Sequence, residues 1–179
     1  MIRLFVGIAL PADLRSTLSS AMSGIPNARW VPSENLHLTL RFIGEVDEGL
    51  ADDLHDQLSV LRHPPLAVTV RGCGAFDGGH RSQTLWAGVE LSPDLQRLQD
   101  KVEQAAQQSG LPPEGRKYIP HISLARLKDA PLGRVQDYIA AHNLLRVTFT
   151  VDRFILFSSY LGRNDPQYRA EVEYPLLDR

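Results

Sequence analysis

The chain has 179 residues, 43% of them hydrophobic and 22% charged, which supports one substantial core or two small lobes sharing an interface and excludes disordered and fibrous classes. Its net charge of −2 removes the general attraction behind non-specific nucleic-acid binding, so any such partner must be gripped locally, as at an end. The apolar runs Leu4 to Leu10 and Phe154 to Phe157 fall far short of the roughly 20 residues a membrane-spanning helix needs.

The N-terminal segment carries Arg3 before an apolar run, but Pro11 and Asp13 stand where a small-residue cleavage site would lie. It reads as a strand, and the protein as cytoplasmic. Pro11-Ala12-Asp13 starts a helix with Leu14, Leu18 and Met22 on one face, ended by Gly24 and Pro26. Trp30-Val31 and Leu36 to Ile43 read as strands around the turn-forming Pro32-Ser33-Glu34-Asn35. Leu50, Leu54, Leu58 and Leu61 mark a second helix from Asp47, closed by Pro64-Pro65.

Strands are predicted at Leu66 to Arg71 and Thr84 to Glu90, with Phe76 to Gln83 as a polar loop between them. Ser92-Pro93 supplies an N-cap and first helical position for a third helix, with Leu95, Leu98 and Val102 inward and Gly110 as its stop. A strand at Tyr118 to Leu127, a short helix at Val135 to His142, and strands at Arg146 to Val151, Phe154 to Ser158 and Tyr168 to Tyr174 complete the chain. Without strict strand-helix alternation, the expected class is α+β with mostly antiparallel strands. The single cysteine, Cys73, excludes an internal disulfide framework and reads as structural between Gly72 and Gly74.

Two segments share a pattern: His37-Leu38-Thr39-Leu40 and His121-Ile122-Ser123-Leu124, their histidines 84 residues apart in a chain of 179. On a strand, residues two apart project from one face, so each segment pairs an imidazole with a hydroxyl while its aliphatic residues anchor the other face. A lone histidine on a half-buried strand is ordinarily a packing residue, and His55, His63, His80 and His142 read as solvated. Two copies of one pattern at half-chain separation suggest related halves whose imidazoles and hydroxyls converge on a cleft. An imidazole titrates near pH 6.5, so one can serve as base while another serves as acid, with the hydroxyls as donors to phosphoryl oxygens. Zinc usually takes a third protein ligand, and neither strand has a carboxylate or thiol between its His and hydroxyl residue, so no metal is expected. Arg29, Arg41, Arg116, Lys117 and Arg126 are candidates for a local basic cleft.

These segments resemble the paired HxTx motifs of the two-histidine phosphoesterase superfamily. Arg3 to Ile8 with Leu10-Pro11, Trp30-Val31-Pro32, Asn35 to Val46 and Pro120 to Arg126 are similar to the bacterial RNA 2′,3′-cyclic phosphodiesterases, also called 2′-5′ RNA ligases, and the likeness runs from residue 3 to Tyr174-Pro175-Leu176. The resemblance implies a single domain over residues 1–179, with two lobes of mostly antiparallel sheet around a cleft, helices outside and no cofactor or metal. It implies hydrolysis of RNA 2′,3′-cyclic phosphate ends to 2′-phosphomonoesters, with 2′-5′ ligation as the reverse reaction. The protein itself reads as a monomer without membrane attachment.

Carried over, His37 is the proton donor and His121 the base, while Thr39, Ser123, Arg126 and Arg41 bind the substrate. Ser123 departs from the usual threonine, keeping the hydroxyl but losing the methyl that restricts its rotamer. Arg41 shares the parity of His37, whereas strict alternation puts Arg126 opposite His121, so a bulge is needed to re-aim it. The alternative class is a non-catalytic nucleotide-binding module using the same cleft.

Overall fold

The apolar face of each strand explains the architecture of the computed structural model, which describes residues 1–178. β1 (Ile2–Ala9) buries Leu4, Phe5, Val6 and Ile8 and lies inside a sheet ordered β3-β1-β8-β9, with β3 at His37–Val46, β8 at Arg153–Tyr160 and β9 at Gln167–Pro175. The second sheet runs β2-β6-β5-β4-β7, from Ala28–Trp30, His121–Lys128, Ser82–Val89, Leu66–Gly79 and Arg146–Val151. All strand pairings are antiparallel among the described residues. The two motif strands, β3 and β6, therefore belong to different sheets, and they pack against each other where the sheets meet.

α1 (Ala12–Ser20) buries Leu14 and Leu18, and α2 (Glu48–Ser59) buries Leu54 and Leu58 behind an Asp47 cap that accepts the Leu50 N–H. α3 (Pro93–Gln108) begins as expected, with the Ser92 hydroxyl accepting from Leu95 N–H, and α4 is Leu132–Ala141. α3 touches β3 of one sheet and β4 of the other, and one buried cluster draws Leu38, Leu40, Leu98, Ile122 and Leu124 together. Among the described residues no helix is long and apolar enough to cross a membrane.

The expected polar loop at Phe76 to Gln83 is instead the tip of the β4–β5 hairpin. The ladder continues to the Gly79–Ser82 pair, and the turn is only His80-Arg81, both with positive φ, 49° and 59°. Extending these strands places Phe76 and Trp86 beside His121. Trp86 lies across from Gly74, where an added Cβ would meet its ring at 2.3 Å, so glycine is required at that position. Cys73 sits half-buried on this strand, its thiol pushed up to about 11 by burial, which keeps it protonated. β6 starts at His121, because Tyr118 to Pro120 approach without ladder bonds.

Candidate active site

His37 and His121 each open a strand, and the same local device orients both rings. The Nδ1–H of His37 donates to the carbonyl of Asn35 at 2.7 Å, and that of His121 to Ile119 at 2.7 Å. A carbonyl can only accept, so both rings keep the proton on Nδ1 and turn Nε2 outward. Nε2 of His37 meets the Thr39 hydroxyl at 2.8 Å. Ser123 has the same offset from His121, is partly exposed, and makes no side-chain hydrogen bond among the described residues.

Aromatic rings hold each imidazole. His37 packs on Phe5 at 4.7 Å and meets Tyr168 edge-on at 5.4 Å; His121 meets Phe76 edge-on at 4.9 Å and Trp86 at 6.5 Å. Burial lowers the pKa of His37; the Asn35 carbonyl opposes this, and the charge of His121 adds to the lowering. The charge of His121 thus reaches His37 across the seam and disfavours its protonation.

Matched bulges decide the fate of the two arginines. On β6, Ser123 opposes Trp86 and Ala125 opposes Leu85, so Leu124 is an extra residue. Arg126, opposite Thr84, thereby returns to the face of Ser123, as its assignment required. On β3, Thr39 opposes Gly7 and Arg41 opposes Val6, with Leu40 as the extra residue. Here the bulge corrects the expectation for Arg41, which turns onto the core face, 8% exposed. Its guanidinium bonds Glu103 at 2.5 Å and the carbonyls of Phe42 and Pro112, each at 2.6 Å. Each of its three nitrogens thus donates away from the cleft. Burial would raise the Glu103 carboxyl, but hydrogen bonds from Arg41, the Glu114 N–H and Gln107 hold it below the usual range.

Phe42, five residues after His37 as Arg126 is five after His121, comes to the cleft face opposite Phe5 and is 57% exposed. Tyr118 donates its hydroxyl to the Thr39 carbonyl at 2.9 Å, tying the approach to β6 to the first motif. Asn35, Phe42, Tyr118 and Tyr168 were not singled out in the sequence; only the shared offset of Phe42 and Arg126 could have marked one of them. Among the other histidines, His63 is buried, with Nδ1 bonding the Pro64 carbonyl, and is not solvated. Arg29 pairs with Asp165 at 3.6 Å and Arg116 with Glu114 at 3.2 Å. Among the described residues no three His, Cys, Asp or Glu side chains gather as a metal site.

The family model described as the 2′-5′ RNA ligase superfamily matches residues 12–163. An Aeropyrum pernix protein named RNA 2′,3′-cyclic phosphodiesterase is 39% identical over 170 residues, covering 90% of this chain and 92% of that protein. Among solved structures, a Thermus thermophilus protein superposes with a TM-score of 0.81 at 27% identity over 97% of both chains. Escherichia coli LigT complexed with 3′-AMP superposes at 0.78 with 27% identity over 98% of both.

Proposed function

The chain belongs to the 2′-5′ RNA ligase superfamily, and on that footing we propose that it hydrolyses 2′,3′-cyclic phosphates at RNA ends to 2′-phosphomonoesters, with His37 and His121 as its acid-base pair. The observation that carries the reading is the matched pair of imidazoles, each locked through Nδ1 and presenting Nε2. That the LigT neighbour is complexed with 3′-AMP supports a nucleotide as the ligand class.

In the step we assign, His121 Nε2 takes a proton from water as the water oxygen bonds to phosphorus. The P–O3′ bond breaks, and the proton on His37 Nε2 passes to O3′. Exchange with solvent then returns the two rings to their starting states. Ser123 and Arg126 donate to the phosphoryl oxygens, where charge builds up, and the Thr39 hydroxyl orients the donor ring. Burial favours neutral His37, whereas a phosphodiester anion beside the ring favours the imidazolium, so substrate binding loads the donor. The exposed Phe42 ring offers an apolar surface beside the reacting group. Joining ends through a 2′-5′ bond is the same path reversed.

The scheme requires no metal, and the enzyme is read as a cytoplasmic monomer, one two-lobed unit. Incubation with a 2′,3′-cyclic nucleotide in EDTA, followed by product identification, tests it. A 2′-phosphomonoester is expected. A 3′-phosphomonoester would reverse the leaving group, activity restored only by zinc or magnesium would overturn the metal-free scheme, and binding without turnover would favour a non-catalytic module.

A further inference from the structure

The cleft face continues beyond His37 into a row of residues that the hydrolytic step does not use. On β1, Arg3 stands two residues from Phe5, the ring that packs on His37. Two strand residues span about 7 Å, so Arg3 begins one row further from the imidazole. It is in register with Ser159 of β8, and Ser159 with Tyr168 of β9. The Tyr168 ring leans back onto Phe5 at 4.9 Å and His37 at 5.4 Å, joining this outer row to the reacting centre.

Charge converges on the same phenol. Burial raises the Tyr168 pKa, while the positive charges of Arg126 and Arg3 both pull against that rise and Asp165 adds to it. Arg41, Arg116 and Arg153 each pair with a carboxylate. Arg3 and Arg126 make no ion pair among the described residues, and Glu45 stands opposite Arg3 on β3 without forming one. Arg3, in the same cross-strand row as Tyr168, and Arg126, whose charge reaches the same phenol, give this end of the cleft a positive character suited to an anion in a chain of net charge −2.

We propose that Arg3 and Tyr168 form a second phosphate subsite, one nucleotide upstream of the cyclic end, so that the enzyme takes oligonucleotides in preference to mononucleotides. This rests on the assignment of the His37–His121 cleft to the cyclic phosphate. Arg126 serves the reacting phosphate, while Arg3, one row out, meets the preceding phosphodiester as a charge-assisted donor with the Tyr168 hydroxyl beside it.

The test compares KM for a 2′,3′-cyclic mononucleotide with KM for a dinucleotide ending in the same cyclic phosphate, over a range of salt. Wild type should favour the dinucleotide by about 10-fold, the effect of one charge-assisted contact. Arg3→Gln should remove most of that preference and reduce the slope of log KM against log salt by about 0.7 for the dinucleotide. Tyr168→Phe, a gentler change, should reduce the preference by about 3-fold. Arg146→Gln deletes the same charge on β7, three strands from β6, and should leave preference and slope in place. Equal KM values in wild type, a preference that survives both subsite variants, or equal losses in Arg146→Gln would overturn the subsite while leaving the hydrolytic reading intact. No turnover of either substrate by wild type would overturn that reading, and the subsite with it.

Discussion

His37 donates its Nδ1 proton to the Asn35 carbonyl at 2.7 Å, while the buried Asn35 side chain donates to the carbonyl of Pro166 at 2.7 Å. One residue thus fixes the imidazole and anchors the segment between β8 and β9, whose Asp165 pairs with Arg29 on β2. Asn35→Ala leaves the Pro166 carbonyl without its donor and should cost about 1–3 kcal/mol in a urea titration. Because the turn that holds the ring loosens, kcat should fall more than KM rises. Wild-type stability and kcat in this variant would dissociate Asn35 from the site.

Arg41 has a structural assignment that its position in the first motif conceals. Arg41→Met leaves Glu103 with its main charge partner gone and should destabilise the protein by about 3 kcal/mol. KM for a 2′,3′-cyclic nucleotide, measured at a temperature where the variant is folded, should stay within about 2-fold of wild type. An unchanged denaturation midpoint with a KM raised tenfold would return Arg41 to the phosphate.

Ser123 is the phosphoryl donor of the second motif in this account. Ser123→Ala should slow turnover by roughly 10- to 1,000-fold, as loss of one transition-state donor does. Ser123→Thr keeps the hydroxyl and stiffens its rotamer, so it should be near neutral. An alanine variant with wild-type kinetics would remove Ser123 from the site.

Much of this was legible because it is local. The alternation that places Thr39 with His37, and Ser123 with His121, is a property of any strand, and the helix starts at Asp47 and Ser92 are short-range signals. The positions of Arg41 and Arg126 depend on the bulges at Leu40 and Leu124, which arise from pairing with β1 and β5. Counting parity along one strand therefore assigns both arginines to the wrong face, and only the need for a bulge at Arg126 was apparent in advance. Tyr118, Glu103 and Tyr168 act on residues distant in the chain, so no spacing rule singles them out.

Burial holds the His37 pKa below its ordinary 6.5, with the Asn35 carbonyl opposing and the His121 charge reinforcing the effect. As pH falls below that ordinary value, the unfolded chain binds a proton that the folded chain still refuses. The His37 contribution to stability is therefore complete above about pH 6.5 and is lost as the pH falls toward the folded-state value. Wild type should lose more stability than His37→Gln between pH 7.5 and 5.5, and added phosphate should reduce the difference. Parallel pH dependence in the two proteins would contradict the burial argument.

The central claim is that two imidazoles act as one acid-base unit, and turnover of a 2′,3′-cyclic nucleotide in EDTA by wild type, His37→Ala, His121→Ala and the double variant tests it most directly. Each single change should cost about 100-fold or more, since a positioned proton donor or acceptor contributes about 10² to 10⁴. The double variant should lose little beyond the worse single, because either absence already breaks the shared proton traffic. Near-wild-type turnover by either single variant, or a double loss equal to the product of the two, would contradict it.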